Sequence, residues 1–367
     1  MSIDKIKTLY FGVTNKCNFN CKYCYATPDR KYPEMSLSEI EEFLIPWIKD
    51  AKFSIISFDG GEPLTDLDRL IKIMKLIQEQ TKIDEFQFIS NGSLISEKVL
   101  GRLEKVSQNI AFSISIDTVD PRLDLRNPRL LPKVLENIEI LQKRGNLLGV
   151  LSTLTVDGFE RAKGLFKHFK DREIFVYADV MLPHTEEQKK YTFPLNELRA
   201  FDKLMFEYAF NPAFFSSPTA IDPEVWAEYS PLLEHAGIAQ YFGCTMFKYD
   251  NCVRPNGDIK PCQICNLVLG NVKSMTYNDC MQLNWVKRML ALDIKGKCGT
   301  CVYQDSCNGG CRARAFVESG DYFGEIHSCH IDPQSNHHVE ESLLTARFEK
   351  VIEEFVNKFL DVKEAKT

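Results

Sequence analysis

The sequence has no long apolar run, no basic surplus and, through most of its length, no cysteine. No stretch of its 367 residues approaches the roughly 18–20 apolar positions of a membrane span, so no membrane role is expected. Lysine and arginine number 45 against 51 aspartate and glutamate, a formal charge of −6, which gives nucleic acid no general basic surface to bind. The opening Met1-Ser2-Ile3-Asp4-Lys5 lacks the apolar core of a secretory signal, and a cytoplasmic location is expected. Histidine is scarce, and His337 and His338 sit in a polar stretch where surface placement is expected. Cysteine is the most uneven residue: three lie before residue 25, none from 25 to 243, and ten between 244 and 329. Without an export signal, thirteen thiols argue for a reducing compartment and for metal rather than disulfides.

The first three form Cys17-x3-Cys21-x2-Cys24, directly after the apolar run Leu9–Val13. Thiols this close converge only in a loop wrapped around a common centre, which an iron–sulfur cluster provides. Three ligands for four irons leave one iron open to chemistry. A structural zinc site wants a fourth ligand, and none lies near Cys24; a disulfide would leave an odd thiol.

From 7 to 210 strand-like and helical patterns alternate. Strands are expected over Thr8–Val13, Phe53–Phe58, Phe86–Ile89, Ala111–Ile116, Gly149–Thr155 and Ile174–Val180, each short, apolar and buried on both faces. Helical patterns run over Leu37–Ile48, Leu67–Ile77, Glu97–Val106, Pro132–Lys143 and Phe159–His168, and Ser36-x2-Glu39 has the form of a capping box. Six βα units without hairpin signals predict an α/β fold with a parallel sheet, closed or partly closed, and working residues at the C-terminal strand ends. The three-cysteine loop is at such an end. At the next, Asp59-Gly60-Gly61-Glu62-Pro63 offers backbone that approaches a ligand closely and a carboxylate suited to an ammonium group; taken alone, Gly-Gly before Pro is also a common turn. Ser115 and Asp117 end the fourth strand, with Arg126 beyond; turn capping and a surface ion pair are the bland alternative.

With Tyr23 as the aromatic, C-x3-C-x-aromatic-C resembles the signature of the radical S-adenosylmethionine (SAM) enzymes. The resemblance implies a partial (β/α)6 TIM-type barrel over 1–210 and a [4Fe–4S] cluster on Cys17, Cys21 and Cys24 whose open iron chelates SAM. Reductive cleavage would then yield a 5′-deoxyadenosyl radical that takes hydrogen from a substrate. Gly60, Gly61 and Glu62 are similar to the family motif that holds the SAM amino group. Asn91 in Ser90-Asn91-Gly92, Ser115 and Asp117 near the ribose, and Arg126 toward the SAM carboxylate complete the implied cofactor contacts, with Ser152 and Thr153 where the family meets the adenosine.

Positions 211–240 break the periodicity with Asn211-Pro212, Ser217-Pro218 and Asp222-Pro223, and read as a linker with a short helix. Cysteine then returns in ordered spacing, Cys244-x12-Gly257-x4-Cys262, then Cys298-x2-Cys301-x5-Cys307-x3-Cys311-x17-Cys329. Pro255-Asn256-Gly257-Asp258 predicts a hairpin turn. Spacing alone also suits zinc ribbons. The arrangement resembles the SPASM extension, a small cysteine-rich iron–sulfur domain here over 241–335. It implies two auxiliary [4Fe–4S] clusters, one on Cys298, Cys301, Cys307 and Cys329 and one on Cys244, Cys262 and Cys311. For the fourth ligand of the latter, Cys265 is preferred to Cys252. On a two-residue turn Cys252 would lie across from Pro261 and point away from Cys262. Cys280 falls in a helical pattern over Tyr277–Leu292 and reads as a buried thiol; a final amphipathic helix is expected over about Glu340–Leu360, within a C-terminal segment 336–367.

The resemblance implies an oxidoreductase acting most often on a peptide or protein side chain. Alternatives are an enzyme of tetrapyrrole or other small-molecule cofactor synthesis, a sulfatase-maturating type, or a non-enzymatic iron–sulfur electron carrier. Cys311-Arg312-Ala313-Arg314-Ala315 with Gly320-Asp321-Tyr322 is similar to the PqqE-like and heme-synthesis branch, and Gln263, where sulfatase-maturating enzymes commonly carry Asp, argues against that branch. An external donor of the flavodoxin or ferredoxin type is implied. With no peptide-recognition domain before the first strand, a peptide substrate is expected to dock directly or through a separate recognition protein.

Overall fold

The computed structural model describes residues 7–26, 31–170, 172, 174, 176–194, 197, 244–301, 304, 308–327 and 329. Strands β1 (Thr8–Thr14), β2 (Ile55–Gly60), β3 (Glu85–Ser90), β4 (Asn109–Ser115), β5 (Leu147–Leu154) and β6 (Val176–Val180) pair in chain order and all in parallel. Helices α1 (37–51), α2 (Leu67–Thr81), α3 (Glu97–Glu104), α4 (Leu131–Arg144) and α5 (Gly158–Lys170) make the crossovers. The capping box starts α1: the Ser36 hydroxyl accepts from Glu39 N at 3.2 Å, and Ser36 N donates to the Glu39 carboxylate at 2.7 Å. A π-turn over Ile40–Leu44 follows, ending where Pro46 has no N–H to give the tighter ladder.

The apolar positions of the strands explain the core. Phe11, Phe58, Phe88 and Phe112 stand in register across β1 to β4, with ring centroids 6.4, 5.5 and 4.8 Å apart in turn. They share one core with Ile73 and Ile77 of α2, Leu103 of α3, Ile138 and Leu141 of α4 and Phe169 of α5. Burial on both faces does not hold, however. In β3 to β6 buried and half-buried residues alternate, and the second face carries Gln87, Ser113, Ser115, Thr153, Tyr177 and Asp179. A parallel sheet that does not close leaves one face partly open, and polar side chains can stand there at a lower desolvation cost than in a closed core.

The later segment completes the sheet. β7 (Asp250–Val253) pairs in parallel with β1, from Thr8↔Asp250 to Phe11↔Val253, and β8 (Asp258–Lys260) and β9 (Gly270–Asn271) follow antiparallel. The nine strands run β6-β5-β4-β3-β2-β1-β7-β8-β9, so the sheet continues past position 241. The hairpin corrects the register expected from a two-residue turn. Cys252 pairs with Lys260, not Pro261, because the loop is three residues long and ends on Gly257 at φ +91°. A glycine in that region adds one residue to the turn and shifts the partner strand by one. The helix expected over Tyr277–Leu292 is two, α6 (Tyr277–Gln282) and α7 (Asn284–Leu290), broken where Leu283 turns extended (ψ 135°), and Cys280 is buried in the first. The final described helix is α8 (Arg312–Ser319). The stretch 195–210 apart from position 197, the linker 211–240, Cys307, His337, His338 and the expected C-terminal helix lie outside the described residues.

Candidate active site

The three-cysteine loop leaves β1 and is tied at once to the end of β2. Gly61 N donates to Thr14 O and Glu62 N to Lys16 O, both at 2.7 Å. The close neighbour that the paired glycines admit is therefore the Thr14–Lys16 backbone: a Cβ on Gly61 would lie 2.6 Å from the Lys16 carbonyl carbon. Glu62 follows, fully buried, its carboxylate accepting from Leu64 N (3.2 Å), the Ser90 hydroxyl (2.9 Å) and Asn91 N (2.7 Å). Burial pushes its pKa up against these donors. An arriving ammonium group would supply the counter-charge that neutral donors do not.

Asn91 holds the loop from a third strand end. Its Nδ2 donates to Asn18 Oδ1 at 2.8 Å and lies 4.0 Å from Cys17 Sγ, while Phe19 N points at the same sulfur from 3.4 Å. The far side of the loop rests on Tyr23. Its hydroxyl bonds the buried Asp117 carboxylate and accepts from Arg126 Nη1 at 3.1 Å; Asp117 also accepts from Thr153 N at 2.8 Å and faces Arg126 at 3.9 Å. Asp117 is thus engaged with the loop and with β5. Ser115 stands half-buried on the open face, and Arg126 Nε is buried with no hydrogen-bond partner among the described residues. A buried guanidinium with an unused donor beside the loop suits a ligand carboxylate.

The donor set fits a cluster chemically. Cys17, Cys21 and Cys24 are half-buried, and burial pushes the Cys21 thiol up to about 11, so at neutral pH it keeps its proton until a metal binds the sulfur and releases that proton to solvent. Among the described residues no trio of His, Cys, Asp or Glu is drawn in closely enough to hold a single ion.

In the second set, Cys244, Cys262, Cys265 and Cys311 are drawn together around the end of the hairpin and the start of α8. Burial pushes all four thiols up, Cys265 to about 11 and Cys311 to about 12, and the charge of Cys265, then Cys311, then Cys244 and last Cys252 adds to the rise at Cys262. Cys252 lies on the same sheet face as Lys260, yet its surroundings are Asp59, Arg254 and Lys260 rather than Cys244 and Cys311. Cys298 and Cys329 belong to a separate small core with Ile294, Ala315 and Ile326, and Cys301 is half-buried nearby in sequence. A contact with no obvious signal in the sequence joins the two halves: Gln263 Nε2 donates to the buried Asp59 carboxylate, one residue before Gly60.

Residues 11–172 match the description Radical SAM superfamily. This segment is a radical SAM domain. The family match and its enzyme relatives set aside the alternative of a simple electron carrier. The AdoMet-dependent heme synthase of Methanosarcina barkeri is 24% identical over 346 residues, spanning 88% of this chain and 96% of that protein. Among solved structures, anSMEcpe with bound AdoMet superposes with a TM-score of 0.68 at 18% identity, covering 98% of this chain and all of the other. SuiB of Streptococcus suis bound to its precursor peptide SuiA gives 0.63 at 19% identity, over 89% of this chain and 76% of that one. Both likenesses establish a shared fold. No helix among the described residues is long and apolar enough to cross a membrane.

Proposed function

We propose that the enzyme takes a hydrogen atom from a polar side chain of a peptide or protein, which is thereby modified or cross-linked. The observation that carries this reading is the open inner face. It presents Ser115, Thr153 and Asp179 toward the ends of three adjacent strands, and hydroxyl and carboxylate groups there suit hydrogen bonds to a peptide better than a flat apolar macrocycle. Cys17, Cys21 and Cys24 would hold a [4Fe–4S] cluster, which with bound SAM would supply the hydrogen-abstracting radical chemistry. Glu62 and the Gly60–Gly61 backbone receive the SAM amino group, Arg126 its carboxylate and Ser115 its ribose. Asp117 keeps Tyr23 and Arg126 in place. Cys244, Cys262, Cys265 and Cys311 would hold one auxiliary cluster, and Cys298, Cys301, Cys307 and Cys329 another, with electrons from a flavodoxin- or ferredoxin-type donor. A separate recognition protein would bring the peptide to the barrel mouth.

A tetrapyrrole substrate is the second reading, favoured by the heme synthase relative that spans 88% of this chain. Anaerobic incubation of the reconstituted enzyme with SAM, reductant and either peptides encoded beside its gene or a heme precursor separates the two. A mass change in a peptide with 5′-deoxyadenosine formed in step supports the first; turnover with the tetrapyrrole alone overturns it.

A further inference from the structure

Two arginines of α8 are buried as completely as any core leucine. Arg312 is 0% and Arg314 1% exposed, one and three residues after Cys311. Arg314 has a carboxylate partner, with Nε 3.5 Å from Glu318. Arg312 does not. Its Nε donates to Gly310 O at 3.3 Å and its Nη1 to Tyr322 O at 3.3 Å and Gly324 O at 2.9 Å, and among the described residues no carboxylate pairs with it. Carbonyl dipoles hold a guanidinium in place but do not cancel its charge, and a buried, uncompensated charge is among the costliest features a fold can keep. Arg312 lies close enough to Cys244 to act on its thiol electrostatically, and the Arg312 backbone N–H faces the same sulfur. Further donors point at the set: Arg314 N to Cys311 Sγ at 3.4 Å, Leu267 N and the Tyr322 hydroxyl to Cys265, and Met246 N to Cys244.

We infer that Arg312 is the built-in counter-charge of the four-cysteine set, and that with Tyr322 it raises the reduction potential of the cluster held there. The inference rests on the reading that Cys244, Cys262, Cys265 and Cys311 hold a [4Fe–4S] cluster. Four thiolates around a [4Fe–4S]2+ core carry a net charge of about −2, and one-electron reduction takes this to about −3 with no bond made or broken. A fixed cation and hydrogen bonds to the sulfurs favour the more negative state, so the reduced form gains.

The test is an EPR-monitored redox titration of the anaerobically reconstituted full chain, with a chemical reductant and mediators, comparing the wild type with Arg312→Met, Arg312→Lys and Tyr322→Phe. At the potential that half-reduces this cluster in the wild type, Arg312→Met is expected to lower the reduced-to-oxidised ratio about tenfold, which is about 59 mV for one electron. Tyr322→Phe moves it less in the same direction, Arg312→Lys stays near the wild type, and the signal of the Cys17–Cys24 cluster is unmoved. Loss of about four irons per chain in the Met variant with retention in the Lys variant also supports a charge role. Loss from both, or an unchanged potential in a fully loaded Met variant, overturns the inference. If the wild type itself holds only about four irons, the reading of an auxiliary cluster fails instead.

Discussion

The contact between Gly61 and the segment leading to Cys17 makes Gly61→Ala the most informative single substitution in the barrel. The added Cβ would lie 2.6 Å from the Lys16 carbonyl carbon and 3.0 Å from that of Asn15. Both are backbone atoms, so no rotamer change relieves the clash; the two chains must separate. Separation stretches Gly61 N→Thr14 O and Glu62 N→Lys16 O, each worth about 1 kcal/mol. Overpacking strain adds about 1–3 kcal/mol, for a total of about 3–5 kcal/mol. At about 2 °C per kcal/mol for a chain of this size, the melting temperature should fall by roughly 6–10 °C. Glu62 and the cysteine loop shift with it, so iron content and 5′-deoxyadenosine yield fall together. Gly164→Ala is the control. It lies in α5 with nothing within 4 Å of a new Cβ, and should stabilise by about 0.5–1 kcal/mol. A Gly61→Ala enzyme with wild-type melting, iron and SAM cleavage would refute the claim that this crossing holds the loop.

Tyr23→Phe removes the hydroxyl shared by Asp117 and Arg126. It should cost about 1–3 kcal/mol and weaken SAM binding measured by equilibrium dialysis, with iron content kept. Cys265→Ser should lose about four irons per chain and Cys252→Ser none, by iron and sulfide analysis; the reverse result would move the fourth ligand to the hairpin. Burial pushes Asp250 from 3.8 up to about 6, so the folded state holds a proton that the unfolded chain releases. Its relative stabilisation is complete below about pH 3.8 and is lost as pH rises through about 6. Asp250→Asn should therefore stabilise by up to about 3 kcal/mol at pH 8 and by nothing at pH 3.5, read from paired denaturation curves.

The parallel order of β1 to β6 was legible because each strand is a short apolar run followed by a helical period, and backbone pairing follows that alternation directly. The three-cysteine loop was legible because its spacing is local. Less legible was whatever depends on one residue of register or on partners far apart in the chain. The hairpin gained a residue because Asn256 stays out of the left-handed region that a two-residue Asn-Gly turn requires of both its residues, leaving Gly257 alone there. Asp117 was expected at a ribose and is engaged with Tyr23, 94 positions earlier, and with Thr153, 36 later; neither distance leaves a trace in spacing. Gln263 and Asp59 meet across 204 residues for the same reason. The burial of Arg312 was hidden by its own chemistry, since a charged residue on a short helix reads as solvent-facing.

That β7 completes the sheet beside β1 has a consequence for biosynthesis. The strand that launches the cysteine loop leaves the ribosome about 240 residues ahead of its outer partner, which lies around position 250. Until that partner has been translated, β1 offers a bare row of amides and carbonyls to any neighbouring strand. A message cut short before that point would yield a polypeptide with its iron-binding loop in place and an adhesive flank, which quality control would meet as an aggregate rather than as a smaller enzyme.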